Sequence, residues 1–151
     1  MKEGHTMKIA ISSDHGGNRL RGEIIQLLEE RGLQYTDFGP KNDDSVDYPD
    51  YAAPVSNGVA NGEFDRGILI CGTGIGMSIA ANKVNGIRCA LVHDVFSAKA
   101  TREHNNTNVL AMGERVIGAG LAREIVATWL DTEFEGGRHM RRVEKLQALE
   151  K

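Results

Sequence analysis

The stretch RGILICGTGIGMSIAANKV, residues 66–84, decides how the chain folds. An apolar run ends at Cys71. Gly72, Gly74 and Gly76 then alternate with Thr73 and Ile75, and an alanine-rich segment follows. The pattern predicts a strand feeding a glycine turn into a helix. Backbone N–H groups at the start of such a helix, unblocked by side chains, form a site for a negatively charged oxygen. Two questions follow from the stretch. Cys71 is either a reacting group or the last small residue of a buried strand, and the turn is either a nucleotide cradle or another anion site.

Working outward, the same alternation recurs along the chain. Residues 7–13 (MKIAISS) read as a buried strand. Residues 18–32 read as a helix with Leu20, Ile24, Leu27 and Leu28 at helical spacing and Gly32 at its stop. Residues 33–39 form a second strand, closed by Gly39 and Pro40. Residues 48–63 predict a helix despite Pro54 and Gly58. After the central strand and helix, residues 87–92, 94–105 and 107–113 predict strand, helix and strand. Residues 120–131 predict an amphipathic helix with Leu121, Ile125, Val126 and Trp129 on one side, and a charged helix ends the chain. Strand and helix alternate five times, and the strands hardly alternate in polarity. That is the mark of a parallel sheet covered on both faces. The expected fold is a single three-layer α/β/α Rossmann-like domain with an open five-stranded parallel sheet. Residues 1–6 read as an N-terminal extension and 7–151 as the domain.

Composition bounds the function. The chain has 151 residues, 40% of them apolar and 26% charged, with a net charge of -3. One domain of this length holds a proper core. The charge argues against a general nucleic-acid binder. No apolar run approaches the roughly 18 residues of a membrane span, and the N-terminus lacks a signal-peptide pattern. Two cysteines, Cys71 and Cys89, both in strand-like segments, suit free thiols in a cytoplasmic protein.

Open parallel sheets bind ligands beyond the carboxyl ends of their strands. The residues so nominated are Asp14, His15, Cys71, Gly72, Thr73, His93, Asp94, Met112 and Gly113. A dinucleotide reading of GTGIG, with Asp94 as the ribose-binding acid, meets three objections. The spacing is GxGxG rather than GxGxxG, the motif lies on the third strand, and little chain is left for a substrate domain. No GK[ST] follows, so a P-loop is absent. An enolisation site fits better. A thiolate at a helix N-terminus is stabilised by the N–H groups it faces. A base beside N–H groups suits removal of a proton next to a carbonyl, with the enediolate held by the turn.

Other constellations remain open between structural and functional readings. Asp14 is a helix cap or a polar group of the site, and His15 beside it is harder to explain structurally. His104 and Asn105, ahead of the fifth strand, are solvated surface or partners for sugar hydroxyls. Arg138 and Arg142 are four apart, on one helical face beside His139, in a geometry suited to phosphate. Arg115 is a further phosphate candidate. No Cys/His cluster has metal-ligand spacing, so no metal site is expected.

With SDHGG, DYPDYA, GILICGTGIGMSIAANKVNGIRCA, REHNNTNVLAMGERV and FEGGRHMRRV in that order, the sequence resembles the type B ribose-5-phosphate isomerases from Met7 to about Leu149. The group includes allose- and galactose-6-phosphate isomerases. The resemblance implies metal-free, cofactor-free aldose–ketose isomerisation of a phosphorylated sugar. It makes Cys71 the base, with Thr73 beside it and the Gly72, Gly74, Ile75 and Gly76 backbone supporting the enediolate. It makes His104 the residue that opens the furanose ring, assisted by Asp14, and Asn105 a contact to the reacting end. Tyr48 becomes a pocket wall, and His15, Arg115, Arg138 and Arg142 the phosphate partners. A branch with serine at the Cys71 position supplies a glutamate four residues later. Ile75 stands there in this chain, as in the cysteine branch. The resemblance also implies homodimers with shared active sites, which pair into tetramers in some members. A six- or four-carbon sugar phosphate is the alternative substrate. A nucleotide-binding module and a silent partner subunit are alternatives of other classes.

Overall fold

A computed structural model describes residues 6–151; residues 1–5 of the expected extension lie outside the described residues. The elements run β1 (Lys8–Ser13), a 3-10 turn (His15–Gly17), α1 (Asn18–Glu30), β2 (Gln34–Asp37), α2 (Tyr48–Ala60), β3 (Arg66–Cys71), α3 (Ile75–Asn82), β4 (Cys89–Leu91), α4 (Val95–Asn105), β5 (Val109–Gly113), α5 (Ala119–Asp131) and α6 (Arg138–Gln147).

The five strands form one parallel sheet in the order β2-β1-β3-β5-β4. The central strands are apolar because each is covered twice. Ile9, Ile11, Ile68, Ile70, Leu110 and Met112 point to one face, where α1, α4 and α5 pack. Ala10, Leu69, Cys71, Val109 and Ala111 point to the other, against α2 and α3. Smaller side chains on the second face let α3 come close. Ile68, Leu69 and Ile70 are wholly buried, at about 1.5–3 kcal/mol of burial each. Trp129 of α5 anchors the first face and donates its indole N–H to Thr107 Oγ1 at 3.0 Å.

Three sequence expectations shift. α2 ends at Ala60 and β4 shrinks to three residues. Leu121 is exposed, and Ala122 and Leu130 join Ile125, Val126 and Trp129 on the inner side of α5. Pro54 is carried inside α2 on its exposed side. Gly58 is needed there, because a Cβ would meet the Phe64 ring at 2.7 Å.

The chain reverses direction across the sheet between β1 and β3, so the carboxyl ends of these strands open a crevice. Cys71 and Gly113 lie opposite each other at the ends of β3 and β5.

Candidate active site

Cys71 is the last residue of β3 and only 5% exposed. Two backbone bonds hold the chain that follows it. Glu114 N–H donates to Cys71 O at 2.9 Å, and Arg115 N–H to Gly72 O at 3.0 Å, so the turn after β5 is laced onto the turn after β3. Gly74 then swings to φ +79°, a left-handed conformation that disfavours any side chain. The swing aims Gly74 N–H at Cys71 Sγ, 3.1 Å away. Thr73 Oγ1 accepts Ile75 N–H at 3.2 Å. The N–H groups of Gly76 and Met77 precede the first i→i−4 bond of α3, from Ser78 to Gly74 at 3.0 Å. The turn therefore sets one donor on the sulfur and the start of α3 beside it, a place where negative charge on a ligand is favoured.

Four other residues named from the sequence stand at this edge. Gly16 lies so near that a Cβ on it would be 3.4 Å from Gly72 N, which puts Asp14 and His15 beside the turn. Asp14 Oδ1 accepts Gly16 N–H at 2.9 Å and caps the 3-10 turn. His15 Nδ1 accepts Val46 N–H at 3.1 Å, which leaves the ring proton of the neutral side chain on Nε2. Tyr48, at the start of α2, lays its ring against Gly76, where a Cβ would stand 2.7 Å from Cε1. The Arg115 guanidinium lies over Gly72, with Nε 3.5 Å from the place of a Cβ.

His104, Asn105, Arg138 and Arg142 are not brought to this edge. α4 runs back from the carboxyl edge, so His104 and Asn105 at its last turn sit beside the amino end of β5. The five residues of β5 separate the two places, roughly 15 Å at the rise of a strand. Arg102 fastens this second cluster. Its guanidinium donates to Thr107 O at 2.6 Å, Asn106 Oδ1 at 2.9 Å and Thr132 O at 3.1 Å. Glu135 N–H adds a bond to Glu103 O at 3.1 Å, which docks the segment before α6 onto α4.

The rings of His104 and His139 stack at 4.4 Å with 19° between their planes. Glu135 Oε1 faces both, 3.9 Å from His104 Nε2 and 3.4 Å from His139 Nε2. Burial first, then His104 and Arg138, hold the His139 pKa below the ordinary imidazole value, while Glu135 opposes them. Arg138 and Arg142 are exposed on the same helix. A cleft of about 520 Å³ adjoins this cluster, lined by Asn82, Cys89, Thr101, Asn105 and Leu146; Cys71 is not among its walls.

Glu135 escaped the reading of the sequence. Its only signal is its place four residues before His139, and the helix that would make such a spacing meaningful starts later, at Arg138. With His104 and His139 it offers three ligand atoms within 4.8 Å of one another. Nearly parallel rings present their lone pairs side by side, so a tetrahedral cation would need one ring to turn.

His93 and Asp94 also find places. Asp94 caps α4, with Oδ1 accepting Ser97 N–H at 2.7 Å, and that bond lowers its pKa. The acid of the dinucleotide reading is thus committed to a helix cap. His93 turns toward β5, where its Nε2 accepts Gly113 N–H at 2.9 Å.

Residues 9–146 match the Ribose/Galactose Isomerase family. The chain belongs to that family. The Bacillus subtilis protein YwlF is 66% identical over 145 residues, which is 95% of this chain and 97% of that one. Ribose-5-phosphate isomerase B of Escherichia coli is 52% identical over 143 residues, covering 95% of this chain and 96% of its own. The structure of the Clostridium thermocellum ribose-5-phosphate isomerase B superposes with a TM-score of 0.93 at 55% identity, over 95% of this chain and 97% of that one. The isomerase family and the parallel α/β fold expected from the sequence are therefore both found. Among the described residues, no helix is long and apolar enough to cross a membrane.

Proposed function

We propose that this isomerase interconverts D-ribose 5-phosphate and D-ribulose 5-phosphate through a cis-enediolate, with Cys71 as the base. One observation carries the reading: a sulfur at the end of a central strand, met by the Gly74 N–H of the turn that opens α3. The Cys71 thiolate takes the proton from C2 of the open aldose. The C2–H electron pair becomes the C1–C2 double bond, and the carbonyl pair moves onto O1. The turn N–H groups stabilise that oxygen charge. The O2–H proton passes to O1, the O2 electron pair closes to the C2 ketone, and the C1–C2 pair takes the proton back from the Cys71 thiol at C1, so the thiolate is regenerated and nothing is oxidised overall. Gly72, Thr73, Gly74, Ile75 and Gly76 line this step, and Tyr48 walls it.

Ring opening falls to His104, assisted by Asp14, and the phosphate to His15, Arg115, Arg138 and Arg142. The separation of His104 and the two C-terminal arginines from Cys71 supports a homodimer in which a second copy of this chain completes each site. Two unpaired cysteines, Cys71 and Cys89, support a reducing, cytoplasmic setting.

Isomerisation in heavy water tests the reaction. Deuterium entering the carbon-bound position of the product during turnover is expected, since the sulfur proton exchanges with solvent. Turnover of ribose 5-phosphate with no solvent label would point to a direct hydride shift and remove Cys71 as base. No turnover of ribose 5-phosphate, with turnover of a six- or four-carbon sugar phosphate, would move the substrate and keep the chemistry. Mixing Cys71→Ala with His104→Ala tests the shared site. Reassociated dimers carry one intact site in half of the molecules, so activity returns to roughly a quarter of the native level. No recovery after exchange of chains would confine each site to one chain.

A further inference from the structure

The end of the β4 ladder holds an exchange of side chain for backbone. Val92 N–H donates to Ala111 O at 3.0 Å, so Ala111 turns its backbone groups toward β4. Two residues on, Gly113 turns the same way, while Glu114, the next residue, turns toward β3 and donates to Cys71 O. β4 has by then ended at Leu91, and the chain leaves the sheet through Asp94 into α4. Gly113 is buried, and its N–H would face a missing strand. The His93 imidazole takes the place of the absent carbonyl, with Nε2 at 2.9 Å.

Gly113 is not a passive residue. It pairs with Cys71 across the sheet, and a Cβ on it would lie 2.6–2.7 Å from the Thr73 backbone. Moving Gly113 therefore moves Thr73, and with it the Gly74 N–H that meets the sulfur. We propose that His93 is a positioning residue of the isomerase: as the neutral Nδ1–H tautomer it accepts Gly113 N–H and holds the Thr73–Gly74 turn on Cys71. The inference rests on the reading of that turn as the proton-transfer site.

The charges around His93 are few. Asp94 stands on its own element and raises its pKa, but burial outweighs it and keeps the value below that of an ordinary imidazole. On the β5–α5 turn, Glu114 is engaged by Leu20 N–H at 2.8 Å, and Arg115 lies over Gly72. Cys71 is the titratable group on the β3 side. The neutral ring needed for accepting is thus the favoured one at neutral pH. Protonation would put a second donor against Gly113 N–H and break the bond.

The test has two arms. Long-range nitrogen–proton correlation spectra of the native protein at pH 7.5 report the tautomer, whatever the substrate. A protonated Nδ1 and an unprotonated, hydrogen-bonded Nε2 on His93 are expected; a protonated Nε2 would overturn the proposal. The second arm compares His93→Gln, whose carbonyl can still accept from Gly113, with His93→Leu, which cannot. His93→Leu should lose about tenfold or more in kcat, as displaced reacting groups do, with KM changed less than about threefold because three of the four phosphate partners, His15, Arg138 and Arg142, lie outside the β5 turn. His93→Gln should recover most of kcat and lose the acid-side inflection that His93 imposes on the native pH profile. Equal kcat for His93→Leu and the native enzyme, or no recovery in a folded His93→Gln, would overturn the assignment. If the native chain isomerises no sugar phosphate, the functional reading fails while the tautomer arm still judges the hydrogen bond.

Discussion

Replacing Gly74 with alanine should damage both folding and chemistry, by amounts the structure sets. Gly74 adopts φ +79°, where an L-residue costs about 1–2 kcal/mol. The new Cβ would lie 2.6 Å from Leu91 Cδ1, 2.7 Å from Met112 C and 2.9 Å from Met112 O. The leucine is 40% exposed and can turn aside. The Met112 backbone cannot, since it is held in the β3–β5 ladder opposite Ile70. Overpacking of this kind costs about 1–3 kcal/mol. Together the two effects amount to about 2–5 kcal/mol, and at this chain length each kcal/mol lowers Tm by about 2–4 °C. Gly22→Ala is the matched control: it lies inside α1 at an exposed position with nothing within 4 Å of a Cβ, and should gain about 0.5–1 kcal/mol. Thermal melts of the two variants should move in opposite directions. Gly74→Ala should also lose kcat by more than about tenfold, because relief of the clash moves its N–H off the sulfur. A Gly74→Ala protein that melts with the native one and keeps its kcat would refute the reasoning.

Glu135→Gln removes the carboxylate that faces both His104 and His139, so ring opening should slow; kcat on the cyclic sugar should fall while a sugar phosphate that cannot close a ring is spared. Arg138→Met and Arg142→Met should raise KM far more than they lower kcat, read from steady-state kinetics with and without added inorganic phosphate. Arg102→Leu abandons the Thr107 and Thr132 carbonyls in a residue only 6% exposed, and should cost on the order of 2–4 kcal/mol in denaturant melts. Stability should fall as pH drops below 6.5, because His93 and His139 bind protons less readily folded than unfolded; the double change His93→Gln, His139→Gln should flatten Tm against pH in that window.

The layers of the fold could be read because each central strand announces its double burial: Ile68, Leu69 and Ile70 leave no polar face to mistake. The strand order could not. β5 inserts between β3 and β4, and nothing in the β3–α3–β4 stretch says that the chain leaves a gap to be filled later. At the site, Cys71, the glycine turn, Asp14 and His15 were legible because strand ends and turn chemistry are local. Leu121 was misplaced because a helix stripe shows its edge only against a partner. The distance of His104, Arg138 and Arg142 from Cys71 follows from the direction of α4 and from α6 docking at its far end, both tertiary facts. His93 and Glu135 act on residues 20 and 31 positions away, Gly113 and His104 respectively, and no local pattern carries contacts of that reach.

The most direct test of the central claim is ribulose 5-phosphate formation from ribose 5-phosphate, with EDTA present, by the native chain and by Cys71→Ala. Activity in the first and near-complete loss in a folded second is the result predicted for proton transfer by Cys71. Activity that survived the substitution would contradict the assignment of the base, and native activity abolished by EDTA would contradict a mechanism built from this chain's own side chains and backbone.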